Sequence, residues 1–231
     1  MQLRRAGERG RTDWGWLDSR HTFSFGEYHD GAHMGFRSLR VVNDDRVGPG
    51  KGFGTHGHRD MEILSFVLSG ALAHKDSAGG GGVIRPGEIQ FMRAGTGVTH
   101  SEYNDSETEP VHFLQIWIVP DTRGLPPAYA QHAFDVEAAR RGLVLLASRD
   151  GREGTIQVQQ DVALWTTRLG PGDRREIAVP AGRHGWLHVA RGSVQAGEHR
   201  LGEGDGAALQ GPETIALSAG EDAELLFFDL G

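Results

Sequence analysis

Gly50-Lys-Gly-Phe-Gly-Thr-His56-Gly-His58-Arg-Asp-Met-Glu62 and, further on, Gly95-Thr-Gly97-Val-Thr-His100-Ser-Glu102-Tyr-Asn104 are the two stretches whose reading decides the fold and the chemistry. In an extended strand, side chains two apart share a face, so His56 and His58 point the same way, as do His100 and Glu102. Two strands then each offer a pair of ligands. Three imidazoles and one carboxylate form a mixed nitrogen and oxygen donor set suited to Fe(II), Mn(II), Ni(II), Co(II), Cu(II) or Zn(II), and a six-coordinate ion keeps two positions open. By the same alternation Glu62 falls on the face of His56 and His58, which leaves it open as an oxygen ligand. A lone His-x-His arises easily by chance. The second pair, set among glycines that allow tight turns, makes the combination specific where its parts are not.

Outward from these stretches the chain reads as β-structure. Short β-prone runs between glycine turns recur at 39–42, 62–68, 88–92, 111–119, 162–169, 186–190, 214–217 and 224–228. Helical periodicity is nearly absent; the best candidate is 135–141, with Asp135 as cap and Gly142 as stop. Gly124 and the Pro126-Pro127 pair mark an exit from a first domain, so a linker is expected around 121–142 between an N-terminal domain, 1–130, and a C-terminal one, 131–231. A weak repeat supports two similar halves. Phe66-Val-Leu-Ser-Gly70-Ala-Leu-Ala73 aligns with His188-Val-Ala-Arg-Gly192-Ser-Val-Gln195, and Pro86-Gly87-Glu88 with Glu203-Gly204-Asp205.

Composition narrows the function. The 231 residues carry a formal charge of −7, which disfavours nucleic acid as the ligand, because phosphate binding normally needs a basic face. No apolar run is long enough to span a membrane, and no signal-type apolar core follows Arg4-Arg5, so a cytoplasmic protein is expected. With no cysteine, disulfides, thiolate nucleophiles and Cys-type zinc sites are excluded, and His and carboxylate are left as the good metal ligands. Gly79–Gly82 lacks the Gly-Lys-Ser/Thr of a phosphate loop, and no Gly-x-Ser-x-Gly elbow is present.

The spacing of the two metal-type stretches resembles the two cupin motifs. More narrowly, the chain resembles the pirin family, through His21-Thr-Phe-Ser-Phe25, Met34-Gly-Phe36, Leu39-Arg-Val-Val-Asn43, the 50–62 segment, His74-Lys-Asp76-Ser, Gln90-Phe-Met-Arg-Ala-Gly-Thr-Gly97 and His100-Ser-Glu-Tyr-Asn104. The resemblance implies an all-β bicupin: two tandem double-stranded β-helix barrels, the first binding one divalent metal through His56, His58, His100 and Glu102. It moves Glu62 from ligand to a partner of the ligands. Phe53 and Phe91 flank the motifs as candidate pocket walls, and Trp14, Trp16, Phe23, Phe25 and Phe36 form an aromatic cluster that either packs as core or lines a pocket.

In the C-terminal half the repeat sets Ala178 and Pro180 opposite His56 and His58, and Leu217 and Ala219 opposite His100 and Glu102, so no equivalent metal site is expected there. His184, His188 and His199 have the wrong spacing for strand-face ligands and read as surface or packing residues. The activity implied by the resemblance is oxidative ring opening of flavonols such as quercetin with dioxygen. The site suits that chemistry on its own terms: iron is the metal expected, and Glu102 is placed to accept the substrate proton. Closed barrels leave few free sheet edges, so a monomer is expected. A different class of function, a redox-responsive metal module acting as a transcription coregulator, is the alternative, and a zinc-type isomerase is a third.

Overall fold

Glycine punctuation and β-branched runs produce strands along the whole chain, which a computed structural model describes over residues 1–231. In chain order they are β1 (Gln2–Arg4), β2 (Gly10–Asp13), β3 (Leu17–His21), β4 (Leu39–Val47), β5 (Gly52–Ser69), β6 (Leu72–Asp76), β7 (Gly81–Ile84), β8 (Glu88–Asn104), β9 (Val111–Ile118) and β10 (Ala128–Ala133). Helix α1 (Val136–Arg141) follows, then β11 (Val144–Ser148), β12 (Ile156–Gln157), β13 (Val162–Leu169), β14 (Arg174–Val179) and β15 (His184–Arg191). The last five are β16 (Ser193–Ala196), β17 (His199–Gly202), β18 (Gly206–Gln210), β19 (Glu213–Ala219) and β20 (Ala223–Leu230). Helix α1 is brief for the reason its sequence suggests: the Asp135 carboxylate accepts the Ala138 N–H at 2.8 Å, and Gly142 ends the turn.

The chain divides into two units, Gly10–Phe134 with Val158–Gln160, and Met1–Arg9 with Asp135–Gln157 and Asp161–Gly231. The first nine residues therefore go with the C-terminal half, unlike a division at 130/131, because β1 pairs antiparallel with β18. The stretch expected to be a linker also contains β10, which pairs with Glu88–Arg93 of β8.

In the unit built on Gly10–Phe134, one sheet runs in the order β2-β3-β4-β9-β5-β8-β6-β7. Its two long strands, β5 and β8, pair with each other and set His56 directly opposite His100. One end of the interior is closed by Leu17, Val47, Val67, Leu72, Ile84, Val111 and Phe113, the other by Ile63, Met92, Ala94 and Val98. Between these apolar plugs lies the space that the metal-type residues line.

The other unit has two sheets, β1-β18-β15-β20-β13-β11-β12 and β14-β19-β16-β17. The internal repeat is visible in its turns: Gly70 and Gly192 each end a long strand at positive φ, 77° and 69°. At both, a Cβ would run into backbone of the neighbouring connection, Pro110 and Asp222 respectively. Here, however, the interior is filled. Ile177, Val179, Leu187, Val189, Leu209, Ile215, Leu217, Leu225 and Phe227 pack into one apolar cluster, and no donor set is possible in it. The repeat alignment was one residue out on β14, where Ile177 and Val179 are buried and Ala178 is exposed. A one-residue slip turns a strand over, so the inward positions are those two and not Ala178 and Pro180. His188 is fully buried, His184 half-buried and His199 exposed.

Candidate metal centre

His56 and His58 sit on β5, and His100 and Glu102 on β8. The ring atoms of His56, His58 and His100 come within 4.8 Å of one another, and Glu102 lies within the same distance of His100 and of a residue the sequence reading had not placed in the site, His74. Nε2 of His56 and Nε2 of His100 are 3.0 Å apart. Two nitrogens, each about 2.1 Å from a shared ion and at right angles to it, stand about 3.0 Å apart, so this spacing suits neighbouring positions on one metal. Nδ1–H of His56 donates to the Gly54 carbonyl at 2.8 Å, which leaves its Nε2 lone pair facing the space. Burial, followed by the nearby His56 ring, pushes His58 down to about 4, and burial with the surrounding imidazoles pushes His100 down to about 2. Both rings are thereby kept neutral, as metal ligation requires. The donor set fits a divalent transition metal.

Glu102 is held as firmly as a ligand needs. Ser65 Oγ donates to its Oε1 at 3.1 Å and Gln115 Nε2 to its Oε2 at 2.7 Å, while Gln115 Oε1 accepts from Trp117 Nε1 at 3.3 Å. Burial raises the carboxyl above its ordinary value; neighbouring His74 and the bonds from Ser65 and Gln115 offset this only in part. Ser65, Gln115 and Trp117 were missed in the sequence, although Gln115-x-Trp117 has the same two-residue strand spacing as the recognised pairs.

Glu62 does not join the centre. Strand β5 is irregular between Phe53 and His56 and again between His58 and Asp60, and Asp60 adopts a positive φ of 63° with its carboxylate accepting the Gly124 N–H at 2.8 Å. The alternation inverts there: beyond it Ile63 and Ser65 face inward, and Glu62 faces the other side, where both its oxygens accept the Gln159 N–H, at 3.0 and 2.8 Å. Burial drives its carboxyl up to about 7, against a lowering by the Gln159 bond and Arg93. Below pH 4.5 the folded and unfolded chains both carry this proton. Between about 4.5 and 7 only the unfolded chain releases it, so stability falls across that interval and is level above it. Glu62→Gln is expected to remove this decline, raising the unfolding free energy at pH 8 by up to about 3 kcal/mol, and to leave metal content unchanged. Denaturant melts at pH 5 and pH 8 with metal analysis of the same samples check this; a variant that loses its metal would return Glu62 to the centre.

The centre opens into a cavity of about 580 Å³, lined among others by His56, His58, Glu102, Gln115 and five aromatic residues, Trp14, Trp16, Phe25, Phe53 and Trp117. That volume lies inside the roughly 300–1,000 Å³ typical of small-molecule pockets. Phe53 packs edge-on against Trp16 at 5.7 Å, and Trp117 edge-on against both Phe25, at 5.4 Å, and His58, at 4.9 Å. Of the aromatic cluster, Phe23 is buried and Phe36 half-buried, neither lining the cavity. Phe91 also stays out of it: on β8 it is odd-numbered where His100 and Glu102 are even, and it pairs with Leu64 on the opposite face.

Two cupin barrels, one hollow and donor-lined and one filled with apolar side chains, define a bicupin. The chain belongs to the pirin family: residues 2–118 match Pirin, and residues 145–230 match the quercetinase C-terminal cupin domain. It is 45% identical to quercetin 2,3-dioxygenase of Escherichia coli K12 across 100% of this chain and 98% of the relative. Among solved structures it resembles YhhW from Escherichia coli, with a TM-score of 0.94, 45% identity and coverage of 100% of this chain and 97% of the other. The nickel(II) complex of the bacterial pirin YhhW gives 0.93, at 44% identity over 99% and 98% of the two chains.

Proposed function

We propose that this chain is a metal-dependent quercetin 2,3-dioxygenase that opens the central ring of flavonols with dioxygen, its metal held by His56, His58, His100 and Glu102. The observation that carries the reading is the clustering of His56, His58 and His100, with buried Glu102 beside His100, at a cavity walled by aromatic rings. The quercetin 2,3-dioxygenase of Escherichia coli, identical at 45% of positions, supports the choice of reaction. A divalent metal, iron(II) in this reading, supplies Lewis acidity toward the flavonol's oxygens and a redox-capable meeting point for substrate and dioxygen. The protein's own part is positional and electrostatic. Trp14, Trp16, Phe25, Phe53 and Trp117 accept a flat ring system and exclude water around it. Glu102, made more basic by burial and oriented by Ser65 and Gln115, accepts the proton of the flavonol 3-hydroxyl, leaving the ring electron-rich where oxygen attacks.

Under anaerobic conditions, quercetin added to iron(II)-loaded protein is expected to show a shifted absorbance band, and admitted air should then consume one dioxygen per quercetin. Protein with a full complement of metal that never turns over quercetin would overturn the reading. No helix is long and apolar enough to cross a membrane.

A further inference from the structure

The ladder that carries His100 and Glu102 on β8 continues onto β6, where Asp76 stands opposite His100 and His74 opposite Glu102. These two side chains have no part in the reaction as described, yet they are among the most enclosed polar groups of the unit, with side-chain exposures of 0% for His74 and 1% for Asp76. The ring of Tyr129, from β10, stacks on His74 at 5.1 Å between centroids. Asp76 Oδ1 accepts two backbone N–H groups, from Ala78 at 2.8 Å and Gly80 at 2.9 Å, and its Oδ2 faces Nε2 of His74 at 3.2 Å. Nδ1 of His74 in turn faces Nδ1 of His100 at 3.5 Å.

We propose that Asp76 and His74 are positioning residues that fix the tautomer of His100, so that its Nε2 presents a bare lone pair to the metal. The proton positions follow one from the next. A carboxylate oxygen can only accept, so His74 carries its proton on Nε2. The arrangement proposed has one proton on each ring, which leaves Nδ1 of His74 bare. Two bare nitrogens facing one another at 3.5 Å repel, so His100 carries its proton on Nδ1, and Nε2, the atom 3.0 Å from His56 Nε2, is left free to ligate. His56 is set in the same sense by the Gly54 carbonyl. Metal-bound histidines commonly give their second N–H to a carboxylate or carbonyl; in this chain the carboxylate acts through an intervening imidazole. The proposal rests on the metal reading given above.

Asp76→Asn tests it without touching a ligand. The two backbone N–H groups hold the amide oxygen where Oδ1 was, which puts the amide nitrogen against His74 Nε2. That nitrogen must then be bare, His74 protonated on Nδ1, and His100 protonated on Nε2, pointing into the site. With Zn(II) as probe, chelator-competition titration should show affinity reduced 10–100-fold. Long-range proton–nitrogen correlation spectra of metal-free, ¹⁵N-labelled protein should show His100 protonated on Nδ1 in the wild type and on Nε2 in the variant. In Zn(II)-loaded wild type, the His74 ring nitrogens should keep their metal-free shifts.

Equal Zn(II) affinity in wild type and variant, His100 protonated on Nε2 in the wild type, or direct ligation of Zn(II) by His74 would each overturn the proposal. If Asp76→Asn does not fold, the wild-type spectra decide by themselves. A wild type that takes up no Zn(II) at all would instead sink the underlying metal reading.

Discussion

His56→Ala yields folded protein that retains no stoichiometric metal and opens no flavonol ring. Of the three imidazoles His56 is the exposed one, whereas His58 is half-buried and His100 buried. Its truncation therefore leaves no cavity in a packed interior, and stability should move by no more than about 0.5 kcal/mol, as for surface substitutions generally. What it removes is a nitrogen held 3.0 Å from that of His100 and aimed by the Gly54 carbonyl. Losing a ligand outright should exceed the 10–100-fold loss of affinity typical of an outer partner of a ligand. Metal analysis of protein purified without chelator, paired with oxygen uptake on quercetin, measures both effects. Full metal retention alongside normal turnover would remove His56 from the centre and with it the proposed mechanism.

Glu102→Gln separates holding the metal from moving the proton. The amide preserves the shape of the side chain but cannot accept the 3-hydroxyl proton, and turnover should fall by about 10²–10⁴, the usual contribution of a positioned general base. Both partners can be kept: the amide oxygen still accepts from Gln115, and the amide NH2 donates to Ser65 Oγ, whose hydroxyl accepts as readily as it donates. Weaker metal binding is expected from the loss of the carboxylate's charge, so turnover is compared per bound metal with the ion in excess. A variant that matches wild type in kcat would show that the proton leaves by another route.

The parts of this arrangement legible in the sequence were those carried by two-residue spacing on a regular strand. His56-x-His58 and His100-x-Glu102 announced two donor pairs, and the duplicated strand–glycine–strand pattern announced two barrels. The same rule misled where the strand is irregular: extended across Asp60 it put Glu62 on the histidine face, and a positive φ at that one residue reverses the outcome. Phe91 was misjudged for a related reason, nearness in sequence to the motif having been taken for a shared face. Strand β10 was hidden because Ala128-Tyr-Ala-Gln-His-Ala133 has little intrinsic strand preference; pairing with β8 makes it a strand. His74 and Asp76 carry the two-residue spacing too, but their meaning depends on a cross-strand partner, His100, that no local pattern reveals.

The pairing of Gln2 with Ala208 has a bearing on how the protein is made. Strand β1 is synthesised about two hundred residues before its partner β18. The Gly10–Phe134 unit has the greater part of its ladder in hand long before then, with Val158–Gln160 to follow. Strand β1 must wait, unpaired, while the intervening residues are made, and closing so distant a contact is intrinsically slow. Extra sequence joined directly ahead of Gln2 would travel with the last piece to dock and would load the pairing of β1 with β18.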